Sequence, residues 1–260
     1  MAKPAGAGRK KTSSTSKRRL DQLLVDRGLA ESRARAQSTV MAGLVYSGET
    51  RLDKPGTRIA EDAPLDVRGR DHPWVSRGGL KLDHGLTEFG IDPSDKVCID
   101  VGASTGGFTD VLLSRGAARV YAVDVGHGQL AWKLRRDERV VVLERTNARH
   151  LSPDEIPAPV DVVVCDASFI GLKTVLPAAL ALAAPGAHLV ALIKPQFEVG
   201  REQVGRKGVV RDPALHRAVC DDMRDWLDSL PGWSVIGLSE SPVRGPEGNV
   251  EFLIAGRNAG

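Results

Sequence analysis

Three charged residues lie at or within apolar runs that predict buried strands. Asp166 and Lys194 each follow such a run directly, and Glu251 lies inside another. The parallel strands of an open α/β sheet end at one edge, and ligands bind there. A buried charge is costly unless it is paired, so a lone buried ion pair is usually structural. Three such residues at one edge of a sheet favour a functional site.

A glycine-rich turn is the second chemically informative feature. The run Gly102-Ala-Ser-Thr-Gly-Gly-Phe-Thr109 stands between a predicted strand and a predicted helix. Its backbone can approach a ligand closely and point free N–H groups at it. Asp124 ends the next predicted strand, where a carboxylate can accept hydrogen bonds from ribose hydroxyls. Because the G-x-G-x-x-G pattern and a P-loop lysine are both absent, we expect an adenosine-containing cofactor other than a dinucleotide.

The same turn also matches the G-x-S-x-G motif of serine hydrolases, with Ser104 as the nucleophile. A hydrolase would need a histidine on a late loop. However, His188 precedes a predicted strand and His216 lies inside a predicted helix. A hydrolase is therefore the less favoured enzyme class.

From about residue 97 onward, predicted strands alternate with predicted helices, which is typical of a parallel sheet covered on both faces. The predicted strands are Val97–Val101, Val120–Val123, Val140–Leu143, Val160–Cys165, Leu189–Ile193, Val235–Leu238 and Val250–Ile254. The predicted helices are Gly107–Arg115, Leu130–Arg136, Leu172–Ala184 and Pro213–Leu230.

Composition indicates a folded chain with a basic head. The 260 residues are 42% hydrophobic and 27% charged, with a net charge of +3, which excludes disorder of the whole chain. Residues 1–70 carry 15 basic and 8 acidic side chains, a net +7; the remainder carries 21 and 25, a net −4. This asymmetry predicts a polyanionic partner for the head.

Cysteine spacing and apolar runs exclude several other classes. The three cysteines are scattered, so we expect no metal site and no disulfide framework. The apolar stretch 175–193 is broken by Pro185-Gly186, and no apolar segment follows the basic N-terminus. We therefore expect a soluble, cytoplasmic protein with no membrane span and no secretion signal.

The head resembles a known RNA-binding module. The run Arg-Leu-Asp-Gln-Leu-Leu-Val-Asp-Arg-Gly-Leu-Ala-Glu-Ser-Arg-Ala-Arg at 19–35, followed by Ala42-Gly-Leu-Val45, is similar to the S4 RNA-binding domain. That family presents a helix-loop-helix and a small sheet to structured RNA. The resemblance implies RNA contacts by Arg18, Arg19, Arg27, Arg33, Arg35, Lys54 and Arg77.

Further blocks extend the resemblance along the chain: Trp74-Val-Ser-Arg-Gly-Gly-Leu-Lys81, the glycine-rich turn, Lys194-Pro-Gln-Phe-Glu198 and Gly248-Asn-Val-Glu-Phe252. With the head, they resemble the TlyA or haemolysin A-like family. Its members methylate the 2′-hydroxyl of a cytidine in 23S ribosomal RNA, and some also one in 16S RNA. The likeness runs from about Lys17 to the C-terminus.

This resemblance implies the fold class and the domain boundaries. We expect an α/β fold of the class I S-adenosylmethionine-dependent methyltransferases, which is Rossmann-like with a seven-stranded, mostly parallel sheet, preceded by a small S4 domain. The expected divisions are a disordered basic tail at 1–17, an S4-like domain at 18–70, a linker at 71–80 and an FtsJ-like methyltransferase domain at 81–260.

The resemblance also implies roles for the site residues. Lys81, Asp166, Lys194 and Glu251 resemble the K-D-K-E tetrad of FtsJ-like ribose 2′-O-methyltransferases, in which Lys194 would orient and deprotonate the ribose hydroxyl. Asp124 would hold the ribose of S-adenosylmethionine, and Asn147 would contact its adenine. The residues assigned to this cofactor are Gly102, Ser104, Thr105, Gly106, Gly107, Phe108, Thr109, Asp124, Asn147, Asp166 and Phe169.

The expected substrate is ribosomal RNA in ribosomal subunits, the large subunit above all, with no membrane and no obligate protein partner. Members of the resembled family that also modify 16S RNA have added helical segments at both ends, whereas this chain stops nine residues after Glu251 without a C-terminal helix. The resemblance therefore implies weak or absent activity on 16S RNA. The alternatives outside this class are a membrane-active haemolysin and a non-catalytic RNA-binding protein.

Overall fold

The computed structural model describes residues 16–30, 32–68 and 72–260. The disordered tail predicted for residues 1–17 lies outside the described residues, apart from its last two positions. The chain forms two compact units, Met1–Asp71 and His72–Gly260.

The first unit is a helix pair with small sheets. Its elements are β1 (Lys17–Arg19), α1 (Leu20–Asp26), α2 (Arg33–Met41), β2 (Val45–Ser47), β3 (Thr50–Leu52), β4 (Arg58–Ala60) and β5 (Asp66–Val67). Strand β1 pairs with β4, and β2 lies between β3 and β5. The Ser32 hydroxyl caps α2 by accepting a hydrogen bond from the Arg35 N–H, as a serine before a helix favours. The core of this unit consists of Leu20, Leu24, Ala36, Val40 and Val45.

The second unit is a seven-stranded sheet between two layers of helices. Its strands are β6 (Val97–Val101), β7 (Arg119–Asp124), β8 (Val140–Glu144), β9 (Val160–Cys165), β10 (Ala183–Ile193), β11 (Trp233–Glu240) and β12 (Phe252–Asn258). Its helices are α3 (Gly78–Glu88), α4 (Gly107–Ser114), α5 (Trp132–Arg135), α6 (Leu172–Val175), α7 (Pro177–Ala181), α8 (Pro195–Glu198) and α9 (Pro213–Ser229). Separate apolar clusters cover the two faces of the sheet.

The order of the strands across the sheet is β11-β12-β10-β9-β6-β7-β8. Strands β6 to β10 run parallel, whereas β12 is antiparallel to both β10 and β11. The mostly parallel seven-stranded sheet predicted from the sequence is thereby confirmed. Because β12 runs the opposite way, its beginning lies at the edge where the parallel strands end: Phe252 pairs with Ile193.

The predicted helix Leu172–Ala184 is wrong in its extent, because two short helices and the start of a strand occupy this segment. Proline has no N–H to donate inside a helix but is well suited to its first turn. Accordingly, α7 begins at Pro177. Strand β10 then begins at Ala183, and its pairing with β9 is irregular between Ala183 and His188.

The segment 72–80, predicted as a linker, belongs to the second compact unit. Helix α3 begins within it at Gly78. The Val75 N–H donates a 2.7 Å hydrogen bond to Asp110 of α4. This attachment fixes the chain that leads into α3.

Candidate active site

Four charged side chains meet at one edge of the sheet. Asp166 directly follows β9, Lys194 directly follows β10, and Glu251 directly precedes β12. These three strands are neighbours in the order β12-β10-β9, and the antiparallel direction of β12 brings Glu251 to the same edge as the other two. Lys81 comes from α3, which crosses this part of the sheet.

The four groups form two ion pairs joined through Asp166. Nζ of Lys194 lies 2.6 Å from Oδ1 of Asp166, and Nζ of Lys81 lies 2.6 Å from Oε2 of Glu251. Oδ2 of Asp166 lies 3.9 Å from Nζ of Lys81. Two cations and two carboxylates cancel in formal charge, which lowers the cost of burying them.

Only Asp166 of the four is appreciably open to solvent. Its side chain is 21% exposed, against 10% for Lys81, 7% for Lys194 and 0% for Glu251. A substrate entering from solvent therefore meets Asp166 first, while the two lysines lie at similar depth behind it and Glu251 lies deepest.

Glycines allow the close packing that brings Lys81 into this cluster. A Cβ on Gly79 would lie 2.3 Å from the Trp74 side chain, and one on Gly85 would lie 3.2 Å from Val190 of β10. A Cβ on Gly78 would lie 3.5 Å from Oδ2 of Asp166. Because these positions carry no side chain, α3 can lie against both the sheet and its lead-in segment.

The glycine-rich turn lies between β6 and α4, as predicted. Gly102 has φ +82°, and a Cβ there would lie 2.8 Å from the Cα of Ala167, the residue after Asp166. Gly106 has φ +93° and is the N-cap of α4. The turn thus runs against the loop that carries Asp166, with the first N–H groups of α4 at its end.

Asp124 holds this turn from the neighbouring strand. Its carboxylate accepts hydrogen bonds from the N–H of Ser104 at 2.8 Å and from the N–H of Gly126 at 2.6 Å. A carboxylate offers about four acceptor positions, so two remain for ribose hydroxyls. The side chain is half-buried, so it can face a ligand. These residues fit the ribose and methionine ends of S-adenosylmethionine.

The loops after β7 and β8 are tied to each other beside Asp124. The Thr146 N–H donates to the Asp124 carbonyl, and the Arg145 N–H donates to the Gly126 carbonyl. Asn147 is half-buried, and its side-chain oxygen accepts from the Arg149 N–H. The predicted adenine contact at Asn147 therefore lies next to the predicted ribose contact.

Some residues assigned to the cofactor have side chains directed elsewhere. Phe108 and Thr109 are buried, at 3% and 0% exposure, and Thr109 donates through its hydroxyl to Asp100 at 2.7 Å. The Phe169 ring is 90% exposed and lies 5.2 Å, centroid to centroid, from the Phe197 ring. Phe108 can thus contribute only its backbone N–H. The Thr109 N–H and hydroxyl both bond to Asp100, and Phe169 presents a ring to solvent at the rim of the cluster.

Sequence reasoning missed Asp100, which anchors the start of α4 from below. This carboxylate is fully buried and accepts from the Thr109 N–H at 2.9 Å as well as from its hydroxyl. Burial raises the pKa of Asp100 to about 7. The sequence feature that could have identified Asp100 is its position near the end of the first predicted strand, because an acid inside an apolar run needs a hydrogen-bonding partner.

Ser168 was also missed, although it lies in the loop that follows Asp166. Its hydroxyl accepts a 2.9 Å hydrogen bond from Nζ of Lys194. Ser104, by contrast, has φ +49° and donates through its hydroxyl to the Gln129 side chain at 3.3 Å. Gln129 therefore occupies the position that a histidine would hold in a serine hydrolase.

In the first unit, several arginines assigned to RNA bind the protein's own acceptors. Arg19 and Arg33 both bond to the buried Asp21, and the hydrogen bond from Arg19 holds the pKa of this carboxyl far below its usual range. Arg18 pairs with Asp26 and Glu61.

The remaining assigned residues divide into two groups. Arg27 donates to the carbonyls of Glu61 and Ala63. Arg35, Lys54 and Arg77 are exposed, and within the described part of the chain none of the three forms an ion pair. These three are the charges most available to RNA phosphates.

Comparison with known proteins agrees with this geometry. The model of the FtsJ-like methyltransferases matches residues 74–258, and that of the S4 domain matches residues 18–63. The chain belongs to the FtsJ-like methyltransferase family. Its enzyme class and its S4 head, both expected from the sequence, are thereby confirmed.

Individual relatives of this FtsJ-like methyltransferase are similar over most of their length. The 16S/23S rRNA (cytidine-2′-O)-methyltransferase TlyA of Mycobacterium tuberculosis is 50% identical over 91% of this chain and 88% of its own. The 23S rRNA (cytidine-2′-O)-methyltransferase TlyA of Campylobacter jejuni is 37% identical over 69% of each chain. A solved structure from Streptococcus thermophilus, described as a candidate hemolysin, is 44% identical, covers 94% of this chain and 90% of its own, and has a TM-score of 0.73.

The haemolysin name raises the question of membrane insertion. Among the described residues, no helix is both long and apolar enough to cross a membrane.

Proposed function

We propose that this protein transfers a methyl group from S-adenosylmethionine to the 2′-hydroxyl of a cytidine in ribosomal RNA. The proposed target is 23S RNA in the large subunit, with 16S RNA a weaker one. The observation that carries the proposal is the paired cluster Lys81–Asp166–Lys194–Glu251, which lies beside a glycine-rich turn with Asp124 at its back. Both relatives described above are named as rRNA (cytidine-2′-O)-methyltransferases, that of Campylobacter jejuni for 23S RNA and that of Mycobacterium tuberculosis for both 16S and 23S RNA.

The assignment of the cofactor rests on the turn and its neighbours. Asp124 has acceptor positions left for ribose hydroxyls, and Asn147 lies beside it for the adenine. The N–H groups at the start of α4 face the methionine end. When bound, S-adenosylmethionine supplies a methyl group on a positively charged sulfur that an oxygen nucleophile can attack.

The protein's own groups align the nucleophile and remove its proton. An in-line displacement depends strongly on positioning, so much of the rate comes from holding the ribose hydroxyl in one place. Nζ of Lys194 is the group that contacts this hydroxyl. A neutral amine accepts the hydroxyl proton as the O–C bond forms, whereas the charged form donates to the oxygen and only orients it. Asp166 fixes Lys194, and Lys81 with Glu251 fixes Asp166.

The RNA side of the site has two further features. The exposed Phe169 ring, with Phe197 beside it, is a surface on which a nucleobase can stack. The exposed basic side chains of the S4 unit supply affinity for phosphates that does not depend on sequence. The proposed partner is therefore a ribosomal subunit in the cytoplasm.

The direct test is methyl transfer to defined substrates. Full-length protein and labelled S-adenosylmethionine are incubated separately with unmodified large and small subunits, and 2′-O-methyl groups are mapped by reverse-transcription stops. We expect one modified cytidine in 23S RNA and little label in 16S RNA. Equal labelling of both subunits would overturn the 23S preference. Label at a base, or no label in either RNA, would overturn the proposed reaction.

A further inference from the structure

In the described part of the chain, the amine of Lys194 donates two hydrogen bonds and forms one ion pair. Its Nζ lies 2.6 Å from Oδ1 of Asp166, donates to the Asp166 backbone carbonyl at 3.0 Å and donates to the Ser168 hydroxyl at 2.9 Å. An ammonium group carries three N–H donors. Two of them bond to these neutral oxygens, which gives the head of this side chain a defined direction and leaves the third position for a substrate hydroxyl.

Lys81 is held differently, although it lies in the same cluster. Its Nζ contacts the carboxylates of Glu251 at 2.6 Å and Asp166 at 3.9 Å. Charge attraction therefore holds Lys81, whereas Lys194 is also held by two neutral oxygens on one loop, which fix its direction.

Ser168 is the exposed member of the groups around Lys194. In the described part of the chain its hydroxyl bonds to Lys194 and not to the backbone of its own loop, so it is not closing a turn. The next residue, Phe169, has φ +66°, which is strained for a bulky side chain. The Ser168 hydroxyl faces Lys194, while the Phe169 ring is exposed to solvent.

We propose that Ser168 is a positioning residue for Lys194, which holds the amine in line with the ribose hydroxyl that it must orient. The inference rests on the proposed 2′-O-methyltransferase function. Ser168 acts through Lys194: its hydroxyl accepts one N–H of the amine, the Asp166 carbonyl accepts another, and the remaining position is thereby directed at the ribose hydroxyl. A displacement of about 1 Å in a reacting group can cost about a hundredfold in rate. We therefore expect the loss of this one hydrogen bond to affect the rate of methyl transfer more than the stability of the fold.

The test compares Ser168→Ala with Ser168→Thr in the full-length protein. We expect kcat for methyl transfer to fall roughly tenfold in the alanine variant, while KM for the subunit and Kd for S-adenosylmethionine stay within about twofold. Threonine keeps the hydroxyl and should restore most of kcat. The matched control is Ser114→Ala, because the Ser114 hydroxyl bonds to the Val111 carbonyl within α4 and so lies outside the cluster.

A second measurement does not depend on catalysis. The rate at which an amine-acylating reagent labels Lys194, followed by mass spectrometry and normalised to Lys81, reports how firmly Lys194 is held. We expect it to rise severalfold in Ser168→Ala and to stay at the wild-type rate in Ser168→Thr, with unfolding temperatures unchanged.

The outcomes distinguish a failure of the proposed role of Ser168 from a failure of the proposed methyltransferase function. An alanine variant with wild-type kcat and wild-type labelling overturns the role of Ser168, as does a loss of kcat that threonine does not restore. If labelling responds as expected but wild-type protein leaves ribosomal RNA unmodified, Ser168 still positions Lys194 and the proposed function is the part that fails.

Discussion

At the scale of single residues, the structure assigns unequal parts to the two lysines of the cluster. Lys194 pairs with the partly exposed Asp166, whereas Lys81 pairs with the fully buried Glu251. Both lysines are nearly buried, so their partners and not their accessibility distinguish them. In the proposed mechanism, removing Lys194 removes the group that contacts the ribose hydroxyl, whereas removing Lys81 or Glu251 leaves a buried charge without its partner.

The catalytic prediction concerns Lys194→Ala and Asp166→Ala. Each should lower kcat for methyl transfer by at least about a hundredfold, the range lost with a positioned acid or base. Ser104→Ala should keep at least half the wild-type activity, because its hydroxyl bonds to Gln129 and not to a member of the cluster. The three variants are assayed together on large subunits, with circular dichroism as the folding control. A hydrolase would show the reverse order, with Ser104 indispensable.

A pH prediction follows from Asp100. Its pKa is raised to about 7 by burial, from 3.8 for the free side chain. Between these two values the unfolded chain has released the proton that the folded chain still holds, so the free energy of unfolding falls as the pH rises from about 4 to about 7. Asp100→Asn keeps an acceptor for the Thr109 N–H and cannot ionise. Denaturant unfolding at several pH values should therefore show a gain in stability for the variant relative to wild type as pH rises; a constant difference would contradict this assignment.

At the scale of secondary-structure elements, the glycine-rich turn is the segment in which we expect substitutions to be least tolerated. Gly102→Ala adds a Cβ 2.8 Å from the Ala167 backbone at a residue with a positive φ, so the turn must shift away from the Asp166 loop. We expect S-adenosylmethionine binding to weaken at least about tenfold, which is ~1.4 kcal/mol.

The matched control for this variant is Gly128→Ala. Gly128 also has a positive φ, +70°, but nothing lies within 4 Å of an added Cβ. Strain from the positive φ is thus common to both variants, and only the clash differs. Calorimetry that finds equal losses of cofactor affinity would show that strain, and not the contact with Ala167, is responsible.

Asp124 provides a second prediction for the same element. Asp124→Ala should weaken binding of S-adenosylmethionine by about 1.5–3 kcal/mol, through loss of a charge-assisted hydrogen bond to the ribose and of support for the turn at Ser104. RNA binding by the S4 unit should not change. Calorimetry with wild-type cofactor affinity in this variant would remove Asp124 from the cofactor site.

At the scale of the whole molecule, one compact unit carries the exposed basic residues of the S4 domain and the other carries the cluster, so we expect RNA affinity and catalysis to be separable. Arg35→Ala with Lys54→Ala should raise KM for the subunit and reduce the dependence of binding on salt, by about 0.9 in log K per log salt for each phosphate that the protein no longer neutralises. Cofactor affinity should stay as in wild type.

Arg119→Ala is the control for this pair. Arg119 is also exposed, but it begins β7 and so lies at the sheet edge opposite the cluster. A salt slope that falls equally in the control and the double variant would mean that general charge, and not the S4 surface, sets the affinity.

The sequence alone was sufficient for the alternation of strands and helices, the position of the glycine-rich turn and three members of the cluster, Asp166, Lys194 and Glu251. These features depend on local properties: apolar runs, glycines at a strand–helix junction, and charges that apolar neighbours would not tolerate unpaired. Lys81 was assigned to the cluster only through the resemblance to the family's tetrad. The sequence was insufficient wherever a contact joined distant segments. The pairing of Lys81 with Glu251, 170 positions apart, arises from the antiparallel direction of β12. The same holds for the binding of Arg19 and Arg33 to Asp21, and for the two hydrogen bonds and the ion pair of Lys194. Tertiary structure decided these contacts because a side chain's partner is set by which strands become neighbours, and no local pattern encodes that order.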